Sequence, residues 1–117
     1  MNTGPQSDLS PASILQDAIR RLQATFLQES RERTAPLRDA LAAVDAREVV
    51  EWPLVHATAH KLAGLGGSID LPAVSNTARA LEQLISGWPA GRTLIDRDRE
   101  QARANMVAVL QCVTPND

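Results

Sequence analysis

The chain predicts an all-α fold, an antiparallel up-and-down four-helix bundle with room for a short additional N-terminal helix. Three observations carry this. Apolar residues recur at spacings of three and four in separate runs, the pattern of helices that each bury one face. The sequence is 44% hydrophobic but only 3% aromatic, which suits helices packed on aliphatic seams. Prolines and glycines fall between the runs, at Pro53, Pro72 and Gly87 to Gly91, where connections are needed. At 117 residues there is enough chain for one core and too little for two.

The first helix starts at Ser10-Pro11, an N-cap hydroxyl followed by a proline at the first helical position. Leu15, Ile19, Leu22 and Phe26 then form a seam suited to packing on other helices. It passes Ser30 and Thr34 before resuming at Leu37, Leu41 and Val44, which leaves two readings: one long helix bent at Pro36, or two helices with a break between Gln28 and Ala35. Glu29 and Arg33 are spaced to pair on a solvated face.

Asp45-Ala46-Arg47-Glu48 has the form of a capping box, but Pro53 follows too closely for a long helix. Residues 45–52 are therefore expected to be a connection with at most one helical turn, and Pro53 to open the next helix. That helix buries Val55, Ala59, Leu62, Leu65 and Ile69. A turn at Asp70 to Pro72 leads to a seam of Val74, Ala78, Leu81 and Ile85. Ser86 to Gly91 is a loop by composition, and a last helix from Asp96 or Asp98 packs through Ala102, Met106, Leu110 and Val113. Trp52 and Trp88, each before a proline, are expected to cap the ends of the core.

Composition removes several functions. A net charge of −2 with both signs interspersed gives no nucleic-acid footprint. The one cysteine, Cys112, excludes an internal disulfide and reads as a small buried hydrophobe. No charged segment followed by an apolar run opens the chain and no stretch approaches the roughly 20 apolar residues of a membrane span. A cytoplasmic, free-standing domain at residues 10–114 is expected, with residues 1–9 a disordered lead-in and residues 115–117 a polar tail. The bundle needs no dimer to close its core, so a monomer is expected.

The chemistry concentrates at His60. On a helix of about 100° per residue it points nearly opposite Leu62, toward water, and His56, Ala63, Gly64 and Gly67 fall within roughly 60° of it. Nothing large shields the ring. Glycine inside a helix costs about 1 kcal/mol relative to alanine, so Gly64, Gly66 and Gly67 need a reason. One is close approach of another protein to an exposed imidazole. The other is structural: Gly64 admits a neighbouring helix, and Gly66 and Gly67 end their own.

The stretch His60-Lys61-Leu62-Ala63-Gly64-Leu65-Gly66-Gly67-Ser68-Ile69-Asp70-Leu71 resembles the phosphorylation motif of histidine phosphotransfer (HPt) domains, usually H-x-L-K-G followed by small residues, an apolar residue and glycine. The likeness extends to Val74, Ala78, Leu81 and Glu82, and upstream to Phe26-Leu27, Ser30, Arg33, Leu37 and Ala40-Leu41, and so favours a continuous helix through Pro36. Three positions depart from it: Ala63 replaces the family's lysine, Leu65 its common serine, and Asp70 the glycine that ends the helix. The lysine helps hold the phosphoryl group. Lys61, about 100° around the helix, is a candidate substitute.

The resemblance implies a phosphocarrier that shuttles a phosphoryl group between aspartates of receiver domains, with His60 as acceptor and donor. Its partner would be the receiver domain of a response regulator or hybrid histidine kinase, and the Mg²⁺ would be the receiver's, with no cofactor bound by this chain. Docking would use Ala63, Gly64 and Gly67 beside His60. A neutral imidazole has a free lone pair and needs no separate base to attack phosphorus, whereas a serine would. No glycine-rich loop followed by lysine, kinase signature or ATP lid occurs, so the resemblance implies an intermediate without ATP-dependent kinase activity of its own. His56 reads as an exposed histidine that tunes His60 or touches the partner. Although His-x-x-x-His can supply two zinc ligands, the sequence places no third beside them. The alternative to a carrier is an HPt-like adaptor that binds receivers without accepting phosphate.

Overall fold

The computed structural model describes residues 10–113, so the lead-in expected at residues 1–9 and the tail at 115–117 lie outside the described residues. Six helices are present among the described residues: α1 (Pro11–Gln28), α2 (Ser30–Arg33), α3 (Ala35–Asp45), α4 (Trp52–Ser68), α5 (Pro72–Leu84) and α6 (Asp96–Val113). The last four close a ring in which α3 meets α4, α4 meets α5, α5 meets α6 and α6 returns to α3. Leu37, Val44, Val55, Leu62, Leu81, Met106 and Val109 fill its core, each no more than 2% exposed. Trp52 and Trp88 close one end in an edge-to-face pair with centroids 5.0 Å apart. No helix of the described residues is long and apolar enough to cross a membrane.

The stretch from α1 to α3 runs nearly as one helix with breaks at Glu29 and Thr34, so each sequence reading holds in part: the helical path continues past Pro36, and both breaks fall between Gln28 and Ala35. Backbone bonds cross both: Glu29 N–H to the Thr25 carbonyl at 3.0 Å, and Thr34 N–H to the Ser30 carbonyl at 2.9 Å. At the first break the Ser30 hydroxyl donates back to the Leu27 carbonyl, a bond that bends helices. The second, at Thr34, lies two residues before Pro36, whose missing N–H and bulky ring interrupt the ladder. There Arg38 satisfies the Arg31 carbonyl and the buried Thr34 hydroxyl.

One expectation fails at the N-terminal end. Leu15 and Leu22, assigned to a packed seam, are 61% and 54% exposed, and of α1 only Phe26 is buried. Helix length explains the failure. At about 1.5 Å per residue the α1–α3 stretch is roughly twice as long as α4, so its first turns overhang the bundle. The overhang is anchored where Gln23 donates to the carbonyls of Ile69 and Asp70, at 2.8 and 3.1 Å.

The capping box expected at Asp45 is also corrected, because this segment ends a helix instead of starting one. Arg47 takes a left-handed φ of 57°, and the Glu48 N–H returns to the Ala43 carbonyl at 2.8 Å. That is a Schellman cap. The connection is correspondingly irregular, and α4 starts at Trp52, with Pro53 second.

Candidate functional site

α4 ends by the same device. Asp70 holds φ at 59° and the Leu71 N–H bonds to the Gly66 carbonyl at 2.7 Å. Aspartate tolerates this conformation better than most side chains, which is why it can stand where the resemblance expects glycine. The tight reversal sends α5 back antiparallel along α4. A Cβ on Gly66 would lie 2.8 Å from the Ser75 nitrogen and 3.1 Å from the Leu71 oxygen, so only glycine admits this approach. Contact at Gly66 and Ser75 fixes the register of the two helices. Two turns farther along, that register sets Glu82 of α5 beside His60 of α4.

His60 projects from the bundle with its side chain 73% exposed, and its Nδ1 lies 2.7 Å from Glu82 Oε2. A carboxylate can only accept, so Nδ1 carries the proton and, in the neutral ring, the lone pair is on Nε2. His56, one turn earlier and partly buried, brings its Nε2 to 3.9 Å from the same oxygen. Glu82 therefore orients His60 and faces His56 together. Arg79 borders the groove between α4 and α5 with His56, Glu82, Gln83 and Ser86. On the other flank Lys61 is exposed at a groove with Arg33, Leu54 and Leu65. Cations thus stand on both sides of the helix that carries the ring.

The predicted site residues separate in the structure. Gly64 and Gly67 are exposed on the His60 side, and a Cβ on Gly64 would meet nothing within 4 Å. The structural explanation offered for Gly64, close passage of a helix, belongs to Gly66. Ala63, expected on the outward face, is 4% exposed and part of the core. The correction has a simple cause: α4 packs on both α3 and α5, so its buried arc is wider than the single stripe read from the sequence. Glu82 and Arg79 were not singled out as site residues. Glu82 was nevertheless signalled, because it and His60 are equally far from Leu71 at the helical turn, as partners in an antiparallel hairpin are.

Among the described residues no group of three or more His, Cys, Asp or Glu is placed to hold a metal ion. What the arrangement offers is an exposed, oriented imidazole with its Nε2 open and little bulk around it. A comparison with protein families matches the model described as Hpt domain over residues 21–112. No curated protein and no solved structure matches the chain.

Proposed function

The chain belongs to the Hpt domain family, whose role is histidine phosphotransfer in two-component signalling, and on that premise we propose that it is a phosphocarrier between receiver-domain aspartates, with His60 as the relay residue. The observation that carries the reading is the 2.7 Å contact from Glu82 to Nδ1, which leaves Nε2 of an exposed ring as the nucleophile. In the forward step the Nε2 lone pair forms an N–P bond while the acyl-phosphate P–O bond breaks, and the receiver's aspartate leaves as a carboxylate. The ring becomes cationic as the bond forms, and Glu82 stabilises that charge through the Nδ1 proton. The reverse step returns the phosphoryl group to another receiver.

Positioning and charge neutralisation dominate phosphoryl transfer. In this reading the receiver supplies the aspartate and its Mg²⁺, and this chain supplies the oriented ring and a surface low enough for the receiver's active-site mouth to reach it. Gly64 and Gly67 form that surface. Lys61 and Arg79 are the cations available to the phosphoryl oxygens in place of the lysine replaced by Ala63.

The test is transfer from a panel of phosphorylated receiver domains to wild type, His56→Gln and His60→Gln. Acid-labile, alkali-stable label on the first two and none on the third is the expected result. Binding to a receiver without label on wild type would overturn the carrier reading in favour of the adaptor.

A further inference from the structure

The end of the bundle where α4 starts holds a cavity of about 220 Å³ between the α3–α4 connection and the α5–α6 connection. The Gly91 N–H bond to the Val50 carbonyl, 3.0 Å long, ties the two connections together. Val49, Val50 and Leu94 give the cavity apolar lining, and Arg47, Arg92 and Arg99 bring three guanidinium groups to it. Arg47 is the left-handed residue that caps α3, and Arg99 belongs to the first turn of α6.

The three arginines differ in what they already bind. Arg92 stacks over Trp88, 4.3 Å from the ring centroid, and pairs with Asp98 at 3.0 Å. Arg47 and Arg99 make no ion pair among the described residues. Arg99 gives one bond, from Nη2 to the Leu94 carbonyl at 3.2 Å, while its Nε is buried without a partner. A charged donor in that position has lost its water and gained no acceptor in exchange. Glu48 is the one acid in the lining, and Asp98 already answers Arg92. The balance at the cavity is therefore one positive charge, in a chain whose net charge is −2.

We propose that this cavity binds a small monocarboxylate with an apolar body, its carboxylate against Arg99 and Arg47 and its hydrocarbon against Val49, Val50 and Leu94. A guanidinium presents a planar fork that matches two carboxylate oxygens, and a carboxylate on Arg99 supplies the counterion that the protein does not. A single negative charge balances the cavity. A phosphate monoester, at about −1.5 to −2, would exceed it beside Glu48. The volume lies below the roughly 300–1,000 Å³ of pockets for drug-sized ligands, which limits the ligand to a few carbons. Trp52, which also lines the cavity, is about 12 Å along α4 from His60 by helical rise, so the ligand leaves the imidazole open.

A titration of the ¹⁵N-labelled chain with sodium butyrate, at ionic strength held constant with sodium chloride, tests the proposal through the Arg99 Nε–H resonance and the amides of residues 47–50 and 91–94. Saturable shifts confined to these groups are expected, at the roughly millimolar concentrations suited to so small a ligand. Acetate, which lacks the hydrocarbon, and inorganic phosphate should each bind more weakly. Arg99→Gln should weaken butyrate binding about tenfold or more, and so should Arg47→Gln, an exposed substitution that keeps the test open should Arg99→Gln disturb the fold. Arg31→Gln, at an exposed arginine outside the cavity, should bind like wild type. Shifts that grow without saturating, shifts reproduced by chloride alone, or binding unchanged in both cavity variants would each overturn the proposal. Tighter binding of phosphate than of butyrate would overturn the assignment to a carboxylate.

Discussion

Gly64 and Gly66 stand two residues apart on one helix and do opposite things. Gly66 faces α5, where a single added carbon would collide with the Ser75 backbone, whereas around Gly64 there is open space. One glycine lets two helices touch and so builds the fold. The other keeps a surface bare and adds nothing to the fold, at a cost of about 1 kcal/mol of helix stability relative to alanine. A motif that reads as one run of small residues is thus split by the helical period into a packing half and an exposed half.

Gly66→Ala is expected to have the largest effect on stability. The overlap involves backbone on the neighbouring helix, which has no rotamer to yield, so a loss of about 1–3 kcal/mol is expected, measured by urea unfolding. Because Gly66 sets the α4–α5 register, the same variant should weaken the contact of Glu82 with His60, read as a change in the His60 ring nitrogen shifts. A fully stable variant with those shifts intact would break the distinction between the two glycines.

Glu82 links the halves, since packing places it beside His60 and the proposed relay would use it. Removing the carboxylate with Glu82→Ala should slow phosphoryl acceptance by about tenfold or more, given the roughly 1.5–3 kcal/mol associated with a hydrogen bond to a charged group. Glu82→Gln keeps an acceptor for Nδ1 and should recover part of the rate. Rapid-quench transfer from one phosphorylated receiver separates these outcomes. Equal rates for all three proteins would reduce Glu82 to a bystander.

Much of this could be read from the chain before its fold was known. Seams fixed the helices from α3 to α6, Ser10 and Pro11 fixed the start of α1, and His60 was placed outward by period alone. What escaped depends on partners that a helical wheel does not contain. Ala63 is buried because α4 has two neighbours, and the role of Gly66 depends on the register of α5. Leu15 and Leu22 are exposed because the first helical stretch outruns the others, a matter of relative length and not of its own pattern. Glu82 lies between these cases: the turn at Leu71 pairs it with His60, but that inference needs the turn to be tight.

Gly64→Ala should invert the Gly66 result. Exposed and helical, the site has room for a methyl group, so the variant should gain about 1 kcal/mol of stability. If the bare surface serves docking, transfer from the receiver should slow severalfold in the same protein. Gain of stability with unchanged transfer would leave Gly64 without a functional reason.

The smallest effect expected is at the end of the same helix. Asp70 holds φ at 59°, and Arg47 holds 57° at the corresponding cap of α3. Glycine relieves left-handed strain at both positions, but the side chains it replaces differ. Aspartate visits this region more readily than arginine, so Asp70→Gly should stabilise by less than about 1 kcal/mol and Arg47→Gly by more than Asp70→Gly, compared by urea unfolding. Phosphoryl transfer should be unchanged in Asp70→Gly, since the cap lies beyond Gly67 and the Gly66 contact already holds α5 in place. Faster or slower transfer in that variant would mean that the turn, and not the Gly66 contact alone, sets where Glu82 meets His60.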